Sequence, residues 1–120
     1  LADTQPLAGY CILMADPDVE SLNAMPEAAR LRYLSDTVRV GDALLQVTGA
    51  ERINYETWCN LAPSLHTHIV PRYAHEAPTQ RVLPMCVAYD VATARPFDSV
   101  ADAPLMNALR KLLDITPAGV

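Results

Sequence analysis

Long apolar runs, basic residues and paired cysteines are all scarce in this chain of 120 residues. No stretch approaches the roughly 18 consecutive apolar residues of a membrane helix, and no basic segment followed by an apolar one opens the chain. Neither a membrane span nor a secretory leader is expected, and the expected setting is soluble and cytoplasmic. Nine Lys and Arg face fourteen Asp and Glu, for a net charge of -5. That deficit argues against a nucleic-acid surface, which needs cations to neutralise phosphates, yet it leaves room for a mononucleotide held by local donors. Cys11, Cys59 and Cys86 are odd in number and form no C-x-x-C pair, so reduced, buried thiols are expected. Repeats and low-complexity tracts are also absent. The chain opens on Leu1 rather than Met, which leaves open a trimmed start lacking an opening strand.

What is present suffices for a single domain with one core: 51% of residues are hydrophobic and 19% charged. Residues 9–14 form an apolar block of strand length, ended by Asp16-Pro17-Asp18. Residues 26–48 read as one long helix, with Pro26 suited to its first position, Glu27 favourable at the positive dipole end and Gly49 at a left-handed cap. Its expected buried stripe is Leu31, Leu34, Val38, Leu45 and Thr48, widened by Thr37, Val40, Leu44 and Val47. Gly41, on that apolar side, predicts the close approach of another backbone.

Strand-forming residues over 52–58 and 64–73, joined by a short loop, predict an antiparallel hairpin. Residues 82–88 read as a short strand or extended arm. Residues 98–113 read as a helix capped by Asp98 or Ser99, with Leu105, Met106, Leu109, Leu112 and Leu113 as its apolar side. Residues 116–120 are expected to fray. The order predicts an α+β fold: an antiparallel sheet, one long helix packed across it and a C-terminal helix.

The chemistry concentrates in Ser64-Leu65-His66-Thr67-His68-Ile69-Val70-Pro71-Arg72-Tyr73. Residues two apart on a strand share a face, so His66 and His68 should meet one ligand. Three readings of the pair stand open. Both can be structural polar residues, or they can share a metal, although a third ligand is missing nearby because Cys59 lies across a loop and His75 past Pro71. Alternatively, one imidazole attacks phosphorus while the other polarises the phosphoryl group.

Ser64-x-His66-x-His68-Ile69-Val70-Pro71-Arg72 resembles the H-φ-H-φ-H-φ-φ signature of the histidine triad superfamily, often followed by Pro-Arg. Gly9-Tyr10-Cys11-Ile12-Leu13-Met14, residues 26–48 and Ile53-Asn54-Tyr55 resemble the family's other core elements. Residues from Asn54 to Tyr73 are particularly similar to a bacterial diadenosine tetraphosphate hydrolase-like branch. The resemblance covers most of residues 3–76.

It implies a nucleotide hydrolase or nucleotidyl transferase acting at the α-phosphate of an adenosine-type nucleotide or dinucleoside polyphosphate. His66, at the middle triad position, would be the nucleophile and His68 the donor to the phosphate; a main-chain carbonyl near the first triad position would hold the nucleophile's other nitrogen. Ser64, Asn54, Asn60 and Asp3 are the implied substrate contacts. No metal or cofactor is required, the partner is a small nucleotide rather than nucleic acid or membrane, and a homodimer is expected.

The sequence departs from the family pattern at Ser64, where a histidine is usual, at Asn60-Leu61-Ala62-Pro63, where a Gly-Gln pair is usual, and at Asp18. These departures support an alternative, a catalytically silent nucleotide-binding or interaction module. Plainer readings also stand beside several contacts: a solvated loop for Asp3, a turn for Asn60 and His75, an exterior ion pair for Arg72, and either sheet face for Asn54.

Overall fold

The computed structural model describes residues 1–114; the fraying expected over 116–120 lies outside the described residues. Three strands, β1 (Cys11–Met14), β2 (Arg52–Glu56) and β3 (His66–Arg72), form an antiparallel sheet in the order β1-β3-β2. The histidine strand is therefore hydrogen-bonded on both sides. Alternation along β3 separates two layers. Thr67 and Ile69 face the long helix α1 (Glu27–Thr48), where Ile69 packs with Ala43 and Leu44, while Val70 faces away and packs with Tyr10, Tyr73 and Met85. The expected α+β architecture, with its hairpin and long helix, is the one observed.

α1 begins one residue later than expected, with Pro26 extended at the N-cap, and ends at Gly49 in the left-handed conformation, φ 71°. Its buried face follows the expected stripe in part: Thr37 and Leu44 are buried and Val40 and Val47 pack against the core, as expected, but the leading row is not buried. Tyr33, Thr37, Gly41, Ala43 and Leu44 are buried, whereas Leu31, Leu34, Val38 and Leu45 are 60%, 43%, 50% and 39% exposed. The helix carries apolar residues on two sides, and periodicity alone does not rank them. The inward side is selected by specific contacts: the Tyr33 hydroxyl meets Thr67 Oγ1 at 2.7 Å and donates to the Leu13 carbonyl at 3.3 Å. Gly41 is required for a side chain rather than a backbone, because a Cβ there would lie 2.0 Å from the Tyr55 hydroxyl oxygen.

Residues 82–88 are not an extended arm. Two short helices, α2 (Pro78–Arg81) and α3 (Met85–Ala88), occupy this region, with Pro78 in the first turn of α2 and Pro84 as the N-cap of α3. Proline needs no amide partner at a helix start and presets φ there. The carbonyls of Gln80 and Leu83, at and just beyond the end of α2, accept from the Arg72 guanidinium. Met85 is buried beneath α3 and anchors it to the sheet face opposite α1.

The C-terminal helix α4 (Ala103–Leu113) starts five residues later than expected. Asp98 instead caps a turn, accepting from the amides of Val100 and Ala101, and Asp102 pairs with Arg95 through two hydrogen bonds. Leu105, Leu109 and Leu113 pack on the cluster shared by α1 and the sheet, as expected, while Leu112 is exposed. The cysteines also differ from expectation: Cys11 is buried, Cys59 half-buried and Cys86 exposed, all as free thiols.

Candidate active site

His66 opens β3, and its ring is oriented by the backbone just before the strand. Its Nδ1 donates to the Ser64 carbonyl at 2.7 Å. A carbonyl only accepts, so Nδ1 carries the proton and the neutral ring keeps its free electron pair on Nε2. The Cys59 thiol supports the same corner: Sγ accepts from the His66 amide at 3.5 Å and donates to the His66 carbonyl at 3.4 Å. Cys59 itself adopts φ 55°, a left-handed conformation uncommon outside glycine.

His68 has a different partner. Its Nδ1 lies 2.6 Å from the Tyr10 hydroxyl. Burial, followed by the negative charge of Glu56, pushes the Tyr10 phenol up to about 12, so it keeps its proton at neutral pH. The hydroxyl finds an acceptor only if His68 Nδ1 is unprotonated, which puts the His68 proton on Nε2. Burial and then neighbouring His66 lower the His68 pKa, with Glu56 opposing, so the ring is held neutral. The two imidazoles lie edge to face with centroids 5.1 Å apart. One therefore offers an electron pair and the other an N–H donor.

The opposite face of β3 fixes this arrangement. Thr67, between the two histidines, is bonded through its hydroxyl to Tyr33 on α1 at 2.7 Å and to Thr57 at 2.8 Å. With Thr67 held from below, the flanking imidazoles are directed to the other side. In register with β3, Met14 and Ile12 of β1 pair with His66 and His68, and Glu56 of β2 also pairs with His68.

The other expected contacts divide. Ser64 stays beside His66 through its carbonyl, while its hydroxyl donates to Asp18 Oδ2 at 3.2 Å. Asn54 pairs with Val70 and so shares the histidine face, but its Oδ1 accepts from Arg72 at 2.9 Å. Asn60 is exposed in the loop before β3. Asp3 is exposed, and its carbonyl accepts from Phe97, so its backbone is tied to the segment before α4. His75 is exposed and stacks on Tyr73 at 4.9 Å.

Arg72 meets neither expectation. It is buried, and its five donors go to Glu76 at 3.1 and 3.0 Å, Asn54 and the Leu83 and Gln80 carbonyls. None remains for a phosphate. Among the described residues no group of three His, Cys, Asp or Glu is placed to hold a metal ion.

Tyr10, Glu56 and the Asp18 contact were not assigned to the site from sequence. Tyr10 shares parity with Ile12 and Met14, but its meeting with His68 depends on the register of β1 against β3, which local patterning leaves undetermined.

No family model matches the chain, and no curated protein matches it. Solved structures do. A histidine triad protein from Bradyrhizobium japonicum superposes with a TM-score of 0.76 at 23% identity, over 91% of this chain and 78% of the other. One from Sinorhizobium meliloti gives 0.72 at 19% identity, over 85% and 73%. A third, from Marinobacter aquaeolei, gives 0.66 at 20% identity, over 88% and 74%. Together with the sheet order and the helix across it, these likenesses establish that the chain has the histidine triad fold.

Proposed function

We propose that the chain is a nucleotide hydrolase or nucleotidyl transferase of the histidine triad kind, with His66 as nucleophile and His68 as phosphate donor. The observation that carries this reading is the 2.7 Å bond from His66 Nδ1 to the Ser64 carbonyl, which leaves Nε2 as a free base on the open face. Nε2 forms a bond to the α-phosphorus of an adenosine-type nucleotide or dinucleoside polyphosphate. The bond from phosphorus to the leaving group breaks, and its electron pair departs with that group. The ring becomes cationic, and its Nδ1–H continues to donate to Ser64. His68 Nε2–H donates to a non-bridging phosphate oxygen as charge shifts onto it. Water then attacks phosphorus, the electron pair returns to Nε2, and the proton of the water passes to solvent.

Ser64 does not carry a proton as an imidazolium would, and its hydroxyl is engaged by Asp18. This contact supports a second reading, a silent nucleotide-binding module on the same fold. The test is incubation with dinucleoside polyphosphates and nucleoside phosphoramidates, followed by mass spectrometry for a nucleotidyl adduct on His66. The expected result is turnover that His66→Ala lowers by at least a thousandfold. Nucleotide-dependent stabilisation with equal, negligible turnover in both proteins would select the binding module.

We also infer a homodimer through α1. Leu31, Leu34, Val38 and Leu45 follow heptad spacing and stay exposed along one side of the helix. Tyr55, lying over Gly41, is 42% exposed. A second copy presenting the same row would cover it.

A further inference from the structure

Arg52 on β2 and Arg81 at the end of α2 line one hollow of about 480 Å³, together with Glu51, Asn54 and Arg72. Three of the nine Lys and Arg of a chain with net charge -5 thus meet at one place, and no apolar side chain shares the lining. The hollow lies on the sheet face opposite α1, since Asn54 pairs with Val70 and Arg52 with Arg72.

The three cations are not equivalent. Arg72 is buried and spends its donors on Glu76, Asn54 and the Leu83 and Gln80 carbonyls, so it offers a ligand neither a proton nor an unbalanced charge. Its effect is on Asn54. A guanidinium only donates, so Oδ1 is the end of the amide held at 2.9 Å by Arg72 Nη1, and the two N–H groups of Nδ2 have no partner among the described residues. Arg81 is steadied by donation from Nη1 to the Ala74 carbonyl at 3.2 Å. Among the described residues neither Arg52 nor Arg81 forms an ion pair.

From this geometry we propose that the hollow binds a small anion built of phosphate groups, such as pyrophosphate, at a site separate from the histidine pair and independent of the reaction proposed above. The donors come from residues 52 and 54 of one strand and from the end of a helix beside it. Converging donors of this kind suit a tetrahedral group with several oxygens better than a flat carboxylate, and a guanidinium can bond two of those oxygens at once. Glu51 opposes the anion, but the two unpaired guanidinium groups outnumber it. A wholly polar lining gives an apolar ligand nothing to bury against. Four residues of β3 separate His68 from Arg72, about 13 Å at the rise of a strand, so one phosphate group does not reach both places.

The intact chain is titrated with pyrophosphate in metal-free buffer at fixed ionic strength, and the arginine Nε–Hε and backbone amide signals are followed by NMR. The signals of Arg52 and Arg81 and the amides of residues 52–54 and 81–83 are expected to shift saturably. Both arginines are exposed, so Arg52→Gln and Arg81→Gln leave the fold intact. Each is expected to weaken pyrophosphate at least fivefold, and the double variant at least twentyfold. Glu51→Gln removes the opposing charge and is expected to tighten binding at least twofold, an effect that arginines with a purely structural or solvating role would not produce. His66→Ala is expected to keep the affinity at Arg52 and Arg81 within twofold. Shifts confined to residues 66–68, or an affinity that both glutamine variants leave unchanged, would overturn the site. Sulfate acting as strongly as pyrophosphate would reduce it to a general attraction of anions, and citrate binding more tightly would overturn the phosphate class.

Discussion

His66 and His68 are the same residue type with opposite hydrogen-bond partners, and the partner decides which nitrogen each presents. Ser64 accepts at 2.7 Å and makes His66 a base at Nε2; Tyr10 donates at 2.6 Å and makes His68 a donor at Nε2. Tyr10→Phe removes only the second of these instructions and frees the His68 tautomer. Turnover is expected to fall by roughly tenfold to a hundredfold, as for other residues that orient a reacting imidazole. The nitrogen chemical shifts of His68 should move toward the mixed tautomer in the same variant, with the fold unchanged. Wild-type shifts on both nitrogens would show that Tyr10 does not set the tautomer. Because burial lowers the His68 pKa, its neutral form, the donor in the proposed mechanism, persists below the ordinary value of about 6.5 as pH falls. Its contribution to an acid limb of the rate therefore lies on the acid side of that value.

At the scale of elements, β3 is the best example of what the sequence made legible. Period-two alternation puts His66 and His68 on one face, where their rings lie 5.1 Å apart. The same alternation predicted nothing about Tyr10, which reaches His68 from the residue just before the neighbouring strand β1. For α1, capping signals located both ends within one residue, but two competing apolar sides left the choice of buried face to tertiary contacts such as Tyr33 with Thr67. Residues 82–88 are helical rather than extended because contacts from outside the segment fix them, Met85 packing on Tyr10 and Val70. Arg72 accepts no role in phosphate binding because it joins β3, the Glu76 turn and the end of α2.

That junction makes a testable ledger of its own. Burial raises the Glu76 carboxyl, but hydrogen bonds from Arg72, the Tyr73 amide and Tyr89 outweigh it and hold the pKa below the usual carboxylate range. The folded value lies below the unfolded value of about 4.3, so the pair's stability is complete above that pH and is lost as pH falls through the folded pKa. Glu76→Gln, which leaves Arg72 buried without its counter-ion, is expected to cost about 3–5 kcal/mol by denaturant unfolding at pH 7 and to flatten the acid dependence. Arg72→Met combined with Glu76→Leu should cost less than the sum of the two single changes. An additive double mutant would show that the two residues are not coupled.

For the whole molecule the informative feature is the apolar row that the fold leaves uncovered on α1. Leu34 and Val38 sit in the middle of that row, 43% and 50% exposed, so replacing them does not open a cavity in the monomer. Under two-fold symmetry each introduced charge would meet its own copy, and like charges brought together at an interface cost several kcal/mol. Leu34→Arg and Val38→Arg are therefore expected to convert a dimer to monomer at tens of micromolar protein, read by sedimentation, while helical content and monomer folding stay unchanged. The row also lies on the opposite side of the sheet from His66 and His68, so the monomeric variants should retain nucleotide binding at the histidine face. Sedimentation of the unmodified chain as a monomer at the same concentration would remove the dimer. A dimer that both arginine variants leave intact would place the contact elsewhere, the exposed edge of β2 being the next surface to probe because that strand pairs on one side alone.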